Sequence, residues 1–263
     1  LTQLFAVNPL HIFAGVITSG PINTSKQPQQ FQVKFKMDRP VGPPVEVRQA
    51  LPPPSTTITG RSVRLEPLDP KHIDDLYPLI GQAEHASLWT YIPKGPFTDK
   101  TSFTEAITTF SESTDPFFYA IINKSTQKPI GFFSLLRIDL TNRVIEIGFI
   151  IFSPLLQRTT AATEAVHLLA KTVFEDLGYR RFEWKCDNLN APSKKAAGRF
   201  GFTAEGVFRQ HLIVKGRNRD TAWFSILDSE WPVVKGAFEK WLEPGNFDAE
   251  GKQVRSLVEL RGV

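Results

Sequence analysis

The residues best suited to chemistry in this chain lie between Glu146 and Glu164, in the run Glu146-Ile-Gly-Phe-Ile-Ile-Phe-Ser-Pro-Leu-Leu-Gln157-Arg158-Thr159-Thr160-Ala161-Ala162-Thr-Glu164. An apolar strand runs through Phe152, stops at Pro154 and gives way to an amphipathic helix starting near Thr160. A helix start leaves backbone N–H groups without partners and turns the positive end of its dipole outward. That arrangement suits a phosphate. Two other kinds of residue could move protons or groups. Cys186 is the only cysteine, and a nucleophilic thiol needs a nearby base or cation to form thiolate. Its neighbour Lys185 points to the opposite strand face. Among the histidines, His211 and His85 are proton acceptors by chemistry alone, whereas His72 and His167 fall on helices as ordinary surface or core-edge residues. A lone cysteine excludes a disulfide framework and a zinc site of several thiolates, and no metal is expected.

The elements that must hold these residues follow from periodicity. Residues 61–68 alternate as a strand, and Asp69-Pro starts a helix that runs to Gly81. Residues 85–98 form an aromatic loop punctuated by Pro and Gly, before a helix over 99–111 with Phe103, Ala106, Ile107 and Phe110 on one face. Strands over 117–123, 129–139 and 143–152 make an antiparallel meander. The long helix carries Ala162, Ala165, Val166, Leu169, Val173 and Leu177 at helical spacing and ends at Gly178. A strand over 180–186 follows, so the crossover is parallel and right-handed. A short helix over 191–199, a hairpin of 204–214 with 219–227, and a helix over 231–242 with a polar tail complete the chain. The expected fold is α/β (α+β): a mixed, mostly antiparallel sheet with one splayed parallel pair and flanking helices. Strands that splay admit a ligand between them, where it can pair with a free edge.

Composition bounds the rest. A hydrophobic share of 41% and a charged share of 22% fit a full core. The net charge is +4, of which Lys26, Lys34 and Lys36 supply +3 within residues 1–36, leaving +1 beyond them. A nearly neutral domain speaks against nucleic acid, and no uninterrupted apolar run is long enough to span a membrane. The chain opens at Leu1 and its single methionine is Met37, the expected native start. Residues 1–58 read as an extended or disordered segment, 59–232 as the domain, and 233–263 as a helix and tail. A cytoplasmic location is expected, or a mitochondrial one if residues 1–36 are a genuine targeting segment.

The order of motifs resembles a known family. Glu146-Ile-Gly-Phe, Gln157-x-x-Thr-x-Ala162-Thr-Glu-Ala, Asn190-x-x-Ser193, Arg199-Phe-Gly-Phe202 and Asp228-x-x-Trp231 look like the GNAT superfamily of acyl-CoA N-acyltransferases. The match is to its ribosomal-protein N-terminal acetyltransferase (Rim-type) branch, over about residues 59–232. The resemblance implies acetyl-CoA as co-substrate and a primary amine as acceptor, either a small molecule or a protein N-terminus. A monomer or homodimer is expected, and because Lys185 faces away from Cys186 the amine is expected to attack the thioester directly in a ternary complex rather than through an acyl-cysteine. Carried over by position, Gln157, Arg158, Thr159, Thr160, Ala161 and Ala162 form the pyrophosphate turn. Phe149, Ile150 and Ile151 offer backbone to pantetheine. Arg158 and Thr160 stand where relatives have glycine: either a side chain there hinders phosphate or, as expected, the Thr159 and Thr160 hydroxyls and the Arg158 guanidinium add contacts to it. Asn190 and Ser193 are carried over as cofactor-binding residues. The tyrosine many relatives use to protonate the departing thiolate is Ala197 here, which leaves Ser193 as proton donor or, more plainly, a helix-start serine.

Glu146 is either the general base for the amine or a solvated strand carboxylate. Trp89, Tyr91 and Phe97 either clamp the acceptor or seal the core, with His211 a further acceptor-side residue. Lys185, Lys194, Lys195 and Arg199 either meet the 3′-phosphate of CoA or lie on a solvated face. A GNAT-like module that binds acyl-CoA or a partner without catalysis is the alternative reading.

Overall fold

The computed structural model describes residues 39–262. The expected start at Met37 and the targeting segment over 1–36 lie outside the described residues. Residues 39–46 are exposed and without regular structure, and the compact unit begins at Val47.

Eight strands form one sheet: β1 (Ile58–Thr59), β2 (Val63–Pro67), β3 (Phe117–Asn123), β4 (Pro129–Asp139), β5 (Val144–Phe152), β6 (Arg181–Asp187), β7 (Thr203–Val214) and β8 (Arg217–Leu227). Their order is β1-β2-β3-β4-β5-β6-β8-β7, antiparallel except for β5 and β6. The helices are α1 (Ile73–Leu76), inside a longer helical stretch from Pro70 to Gly81, α2 (Lys100–Ser111), α3 (Thr160–Lys171), α4 (Ala191–Phe200), α5 (Trp231–Leu242) and α6 (Leu257–Arg261). The expected fold class is therefore observed, with the parallel pair where the crossover places it.

Each face of the sheet packs its own core. On one face Ile145, Ile147, Phe182 and Trp184 meet Val166, Leu169 and Val173 of the α3 stretch and Val234, Phe238 and Trp241 of α5. On the other, α1, α2 and the turns around Trp89 cover Phe118, Ala120 and Phe132. The second cover stops near β5. Beyond it β5, β6 and β8 present Glu146, Glu183, Lys185, Thr221 and Trp223, and the candidate site lies there.

Three expectations change. The aromatic loop contains a short 3-10 helix, Ala83–Trp89. The lead-in is extended but packed from Ala50 on: Ala50 is buried and donates to the Leu140 carbonyl, and the Tyr119 hydroxyl donates to Pro54. The tail is ordered structure of the same domain, because Ser256 and Glu259 cap α6 reciprocally and Leu257 enters the core. Ser-x-x-Glu before an apolar residue was a visible signal for that helix.

Candidate active site

The parallel pair builds the site. β5 and β6 are in register only from Val144 opposite Arg181 to Ile147 opposite Trp184. Past that point Gly148–Phe152 pairs only with β4 and Lys185–Asp187 only with β8, so the strands part. A bulge sharpens the separation. Between Gly148 and Ile151, β5 has one residue more than β4, and Phe149 takes φ 47°, a left-handed conformation rare outside glycine. The extra residue drops out of the ladder, which leaves backbone of Phe149 and Ile150 for another partner. The Phe149 ring, packed against Phe110 and Phe118, fixes the bulge in place.

The turn after β5 is held by its own backbone. The Ser153 carbonyl accepts from Leu156 and Gln157 N–H, and Arg158 takes φ 61°. Thr159 is the N-cap of α3: its hydroxyl accepts from Ala162 N–H at 3.2 Å and donates to the Leu156 carbonyl at 2.7 Å. Its hydroxyl is thus committed, contrary to the expectation that both threonines reach a phosphate. Gln157 likewise donates to the Phe152 carbonyl at 2.8 Å. The N–H groups of Arg158, Thr160 and Ala161 meet no partner among the described residues, and the Arg158 and Thr160 side chains are exposed.

Across the opening, Asn190 rather than Ser193 caps α4, its Oδ1 accepting from Ser193 N–H at 3.1 Å. The Ser193 hydroxyl accepts from the Trp184 indole N–H at 3.0 Å, so it is oriented by a side chain and keeps its own proton to donate. Cys186 is buried beside it. Burial pushes its thiol up, and a hydrogen bond with Ser193 only partly opposes this. A thiol held neutral is a poor nucleophile. Cys186→Ala is accordingly expected to leave turnover largely intact, and loss of kcat with normal folding, read by a coupled thiol assay and circular dichroism, would contradict this.

Glu146 sits at the base of the opening and is 5% exposed, which excludes the solvated strand carboxylate. Its Oε2 lies 2.7 Å from Lys185 Nζ and 3.2 Å from Arg137 Nε. The Lys185 ammonium also reaches Glu183 at 2.5 Å and lies 3.9 Å from the Trp223 ring centroid. Burial pushes the Glu146 carboxyl up, while Lys185 and Arg137 pull it back. Its Oε1 accepts from no group among the described residues. That oxygen faces Gly148, 3.7 Å from where a Cβ would stand there, and so looks toward the opening.

The remaining expected residues divide. Trp89 is buried, donates to the Ile80 carbonyl at 2.6 Å and packs edge-on against Phe97, so both rings seal the core instead of clamping a ligand. Tyr91 is half-buried and donates to the Leu189 carbonyl at 3.3 Å, on the far lip of the opening. Lys215, at the hairpin tip, donates to the Trp89 carbonyl at 2.7 Å. The aromatic segment is thus tied to both sides of the cleft. His211 is on the site side of β7, its Nδ1 3.0 Å from the Thr221 hydroxyl. Burial and the cations Arg137, Arg219 and Lys185 lower its pKa, which favours the neutral ring. His72 serves a capping box, His85 contacts the Pro78 carbonyl, and His167 stacks on Phe238.

The expected cationic cluster does not form as one group. Lys185 belongs to the carboxylates, and Arg199 donates to Thr163 and lies over the Trp241 ring, leaving Lys194 and Lys195. Arg137, Glu183, Arg219 and Trp184 were missed. Alternation along Glu183-Trp-Lys185 places the two charges on one face, but only strand register sets them beside Glu146.

This geometry agrees with the comparisons to known proteins. Residues 62–203 match the acetyltransferase (GNAT) domain, and the chain belongs to the GNAT acetyltransferase family. A crystal structure of a GCN5-related N-acetyltransferase from Brucella melitensis is 47% identical, with a TM-score of 0.80, covering 82% of this chain and 98% of that one. An uncharacterized N-acetyltransferase, p20, from Bacillus licheniformis is 34% identical over 113 residues, 43% of this chain and 63% of its own length. A Bacillus subtilis relative is 32% identical over 105 residues, so the chain spans less than two thirds of either curated relative. An acetyltransferase from Salmonella typhimurium that modifies the N-terminal serine of ribosomal protein L7/L12 shares the fold at 20% identity and a TM-score of 0.57, covering 65% of this chain and 99% of that one.

Proposed function

We propose that this protein is an N-acetyltransferase that moves the acetyl group of acetyl-CoA to a primary amine by direct attack in a ternary complex. The observation that carries this reading is the juxtaposition at the strand opening. Free helix-start N–H groups and a strand bulge lie on one wall, Ser193 lies on the other, and Glu146 stands at the base with one oxygen uncommitted.

In this reading Arg158, Thr160 and Ala161 hold the pyrophosphate and the Phe149–Ile151 backbone pairs with pantetheine, with Asn190 beside it. The acceptor ammonium gives a proton to Glu146 Oε1 through water, and its nitrogen attacks the thioester carbon. The new C–N bond forms as the C–S bond breaks; Ser193 gives a proton to the departing thiolate and regains one, through water, from the nitrogen as it becomes an amide. Tyr91 and His211 border the acceptor, His211 as a neutral hydrogen-bonding group. Acetylation of a protein N-terminus is the activity stated for the Salmonella relative. A cytoplasmic location accords with the free Cys186 thiol and with the finding that no described helix is long and apolar enough to cross a membrane.

The test is acetyl-CoA-dependent release of free thiol with a panel of peptides, amino acids and polyamines. Calorimetric binding of acetyl-CoA without thiol release above background would leave only a binding module. Arg158→Glu is expected to weaken acetyl-CoA binding about tenfold to a hundredfold, because it places a negative charge where a charge-assisted contact stood. Arg158→Gly suits the positive φ and loses only the guanidinium, so it should weaken binding less. Equal affinities for all three proteins would remove Arg158 from the site.

A further inference from the structure

Four cations stand around the site face, and three touch a carboxylate. Lys185 bridges Glu146 and Glu183, Arg137 reaches Glu146, and Arg181 reaches Glu183 and Glu205. Arg219 does not. It is half-buried on β8, and among the described residues its one side-chain contact is from Nε to the Thr221 hydroxyl, at 3.1 Å. Its two terminal nitrogens have no acceptor there.

Register places those nitrogens. Thr221 stands opposite Asp187, the last residue of β6, so Arg219 lies just beyond the point where β6 ends and the cleft opens. Thr221, and by alternation Arg219, share the sheet face of Lys185 and Glu146. Asp187, opposite Thr221, instead accepts from Leu189 N–H at 2.9 Å, and Asp220, the next residue in the chain, accepts from Gln210 N–H and Asn218, so neither forms an ion pair with Arg219. Burial pushes the guanidinium below its ordinary value, and the charges of Asp187 and Glu146 only partly offset this. A partly desolvated guanidinium without a counter-ion is costly, and its planar fork matches a carboxylate.

We propose that Arg219 is a specificity residue that selects amine acceptors carrying a carboxylate close to the reacting nitrogen. The inference rests on the acetyltransferase reading and narrows its acceptor. Because Lys185, Arg137 and Arg181 share Glu146, Glu183 and Glu205 among them, Arg219 is the cation left without an ion pair and calls for one negative group. An amino acid supplies it as the α-carboxylate, and a peptide supplies it as an acidic side chain next to the N-terminus. The shared chemistry is an amine with an adjacent carboxylate.

The experiment compares L-alanine with L-alaninamide, and alanyl-aspartyl-glycinamide with alanyl-asparaginyl-glycinamide. Wild type, Arg219→Lys and Arg219→Gln are each assayed for thiol release and, calorimetrically, for binding of the same four compounds to the protein–CoA complex. Wild type is expected to favour the carboxylate of at least one pair by about tenfold to a hundredfold, through KM and not kcat. Arg219→Gln should abolish the preference and Arg219→Lys keep part of it, with the KM for acetyl-CoA unchanged in both. Preference within the alanine pair alone identifies a small amino acid, and within the peptide pair alone an acidic N-terminus. If no compound releases thiol but binding keeps a preference that Arg219→Gln removes, the transferase reading falls and the role of Arg219 stands. Equal handling of carboxylate and amide in both assays overturns the proposal, as does a preference that survives in Arg219→Gln.

Discussion

Glu146→Gln is expected to lower kcat by about 10²–10⁴-fold, the usual contribution of a positioned general base, while acetyl-CoA affinity stays near that of the wild type. The substitution keeps the shape of the side chain, and its amide oxygen can still accept from Lys185. What it removes is the ability of Oε1 to take a proton. The burial that pushes the Glu146 carboxyl up brings it closer to the basicity an amine acceptor requires. Lys185 and Arg137 oppose that rise by favouring the charged form, and both bind Oε2, leaving Oε1 for the reaction. The sign for activity follows directly. A general base must be ionised, so kcat rises with pH as Glu146 loses its proton. Because its pKa is raised, this limb lies above the ordinary carboxylate range. In Glu146→Gln the limb should vanish along with the rate. A variant that keeps both the rate and the limb would place the base elsewhere, and an unchanged calorimetric Kd for acetyl-CoA separates loss of the base from loss of the site.

Much of this architecture was legible because local signals bound it. The meander strands Phe117–Asn123 and Pro129–Asp139 begin and end where expected, since turn residues punctuate alternating apolar runs. The strand–turn–helix around Thr160 was readable for the same reason. What stayed hidden depends on which strand lies beside which. The bulge at Phe149 exists because β5 has one residue more than β4, and the left-handed residue is Phe149 rather than the glycine before it. The left-handed Arg137 and Gln210 fall at similar irregularities in β4 and β7. The Glu146–Lys185–Glu183 network needs the parallel register of β5 with β6, while Arg219 acquires its position through the pairing of β8 with β6. A resemblance based on motifs reaches the first residue of such a network and misses its partners. The aromatic segment shows the converse: type and position suggested a ligand clamp at Trp89, but burial and the hydrogen bond to Ile80 assign it to the core.

Glu164→Ala should cost stability rather than chemistry, by roughly 2–5 kcal/mol, because it strands donors that only this carboxylate satisfies. Glu164 lies in the second turn of α3, on the side turned to β2, and is 6% exposed. It takes no cation. Its Oε2 accepts from Ser62 N–H at 2.8 Å and from the Ser62 hydroxyl, and its Oε1 accepts from Arg61 N–H. The two N–H groups lie at the corner where the chain enters β2, and among the described residues they meet no other partner. A Cβ at Gly60 would come within 2.7 Å of Oε1 and 2.6 Å of Leu168, so the corner has no side chain of its own to replace the carboxylate. Removing it therefore unfastens α3 from the sheet edge. A loss of that size lowers Tm by roughly 5–15 °C in a chain of this length. The turn before α3 should survive, because the Ser153 carbonyl and the Thr159 cap hold it from within. Saturating acetyl-CoA is thus expected to raise Tm by a similar increment in wild type and Glu164→Ala, since stabilisation by a ligand depends on its concentration relative to Kd. A smaller increment in the variant would mean that the turn takes its shape from the β2 corner as well as from its own hydrogen bonds. An unchanged Tm would mean that the corner N–H groups find other acceptors when the carboxylate is gone.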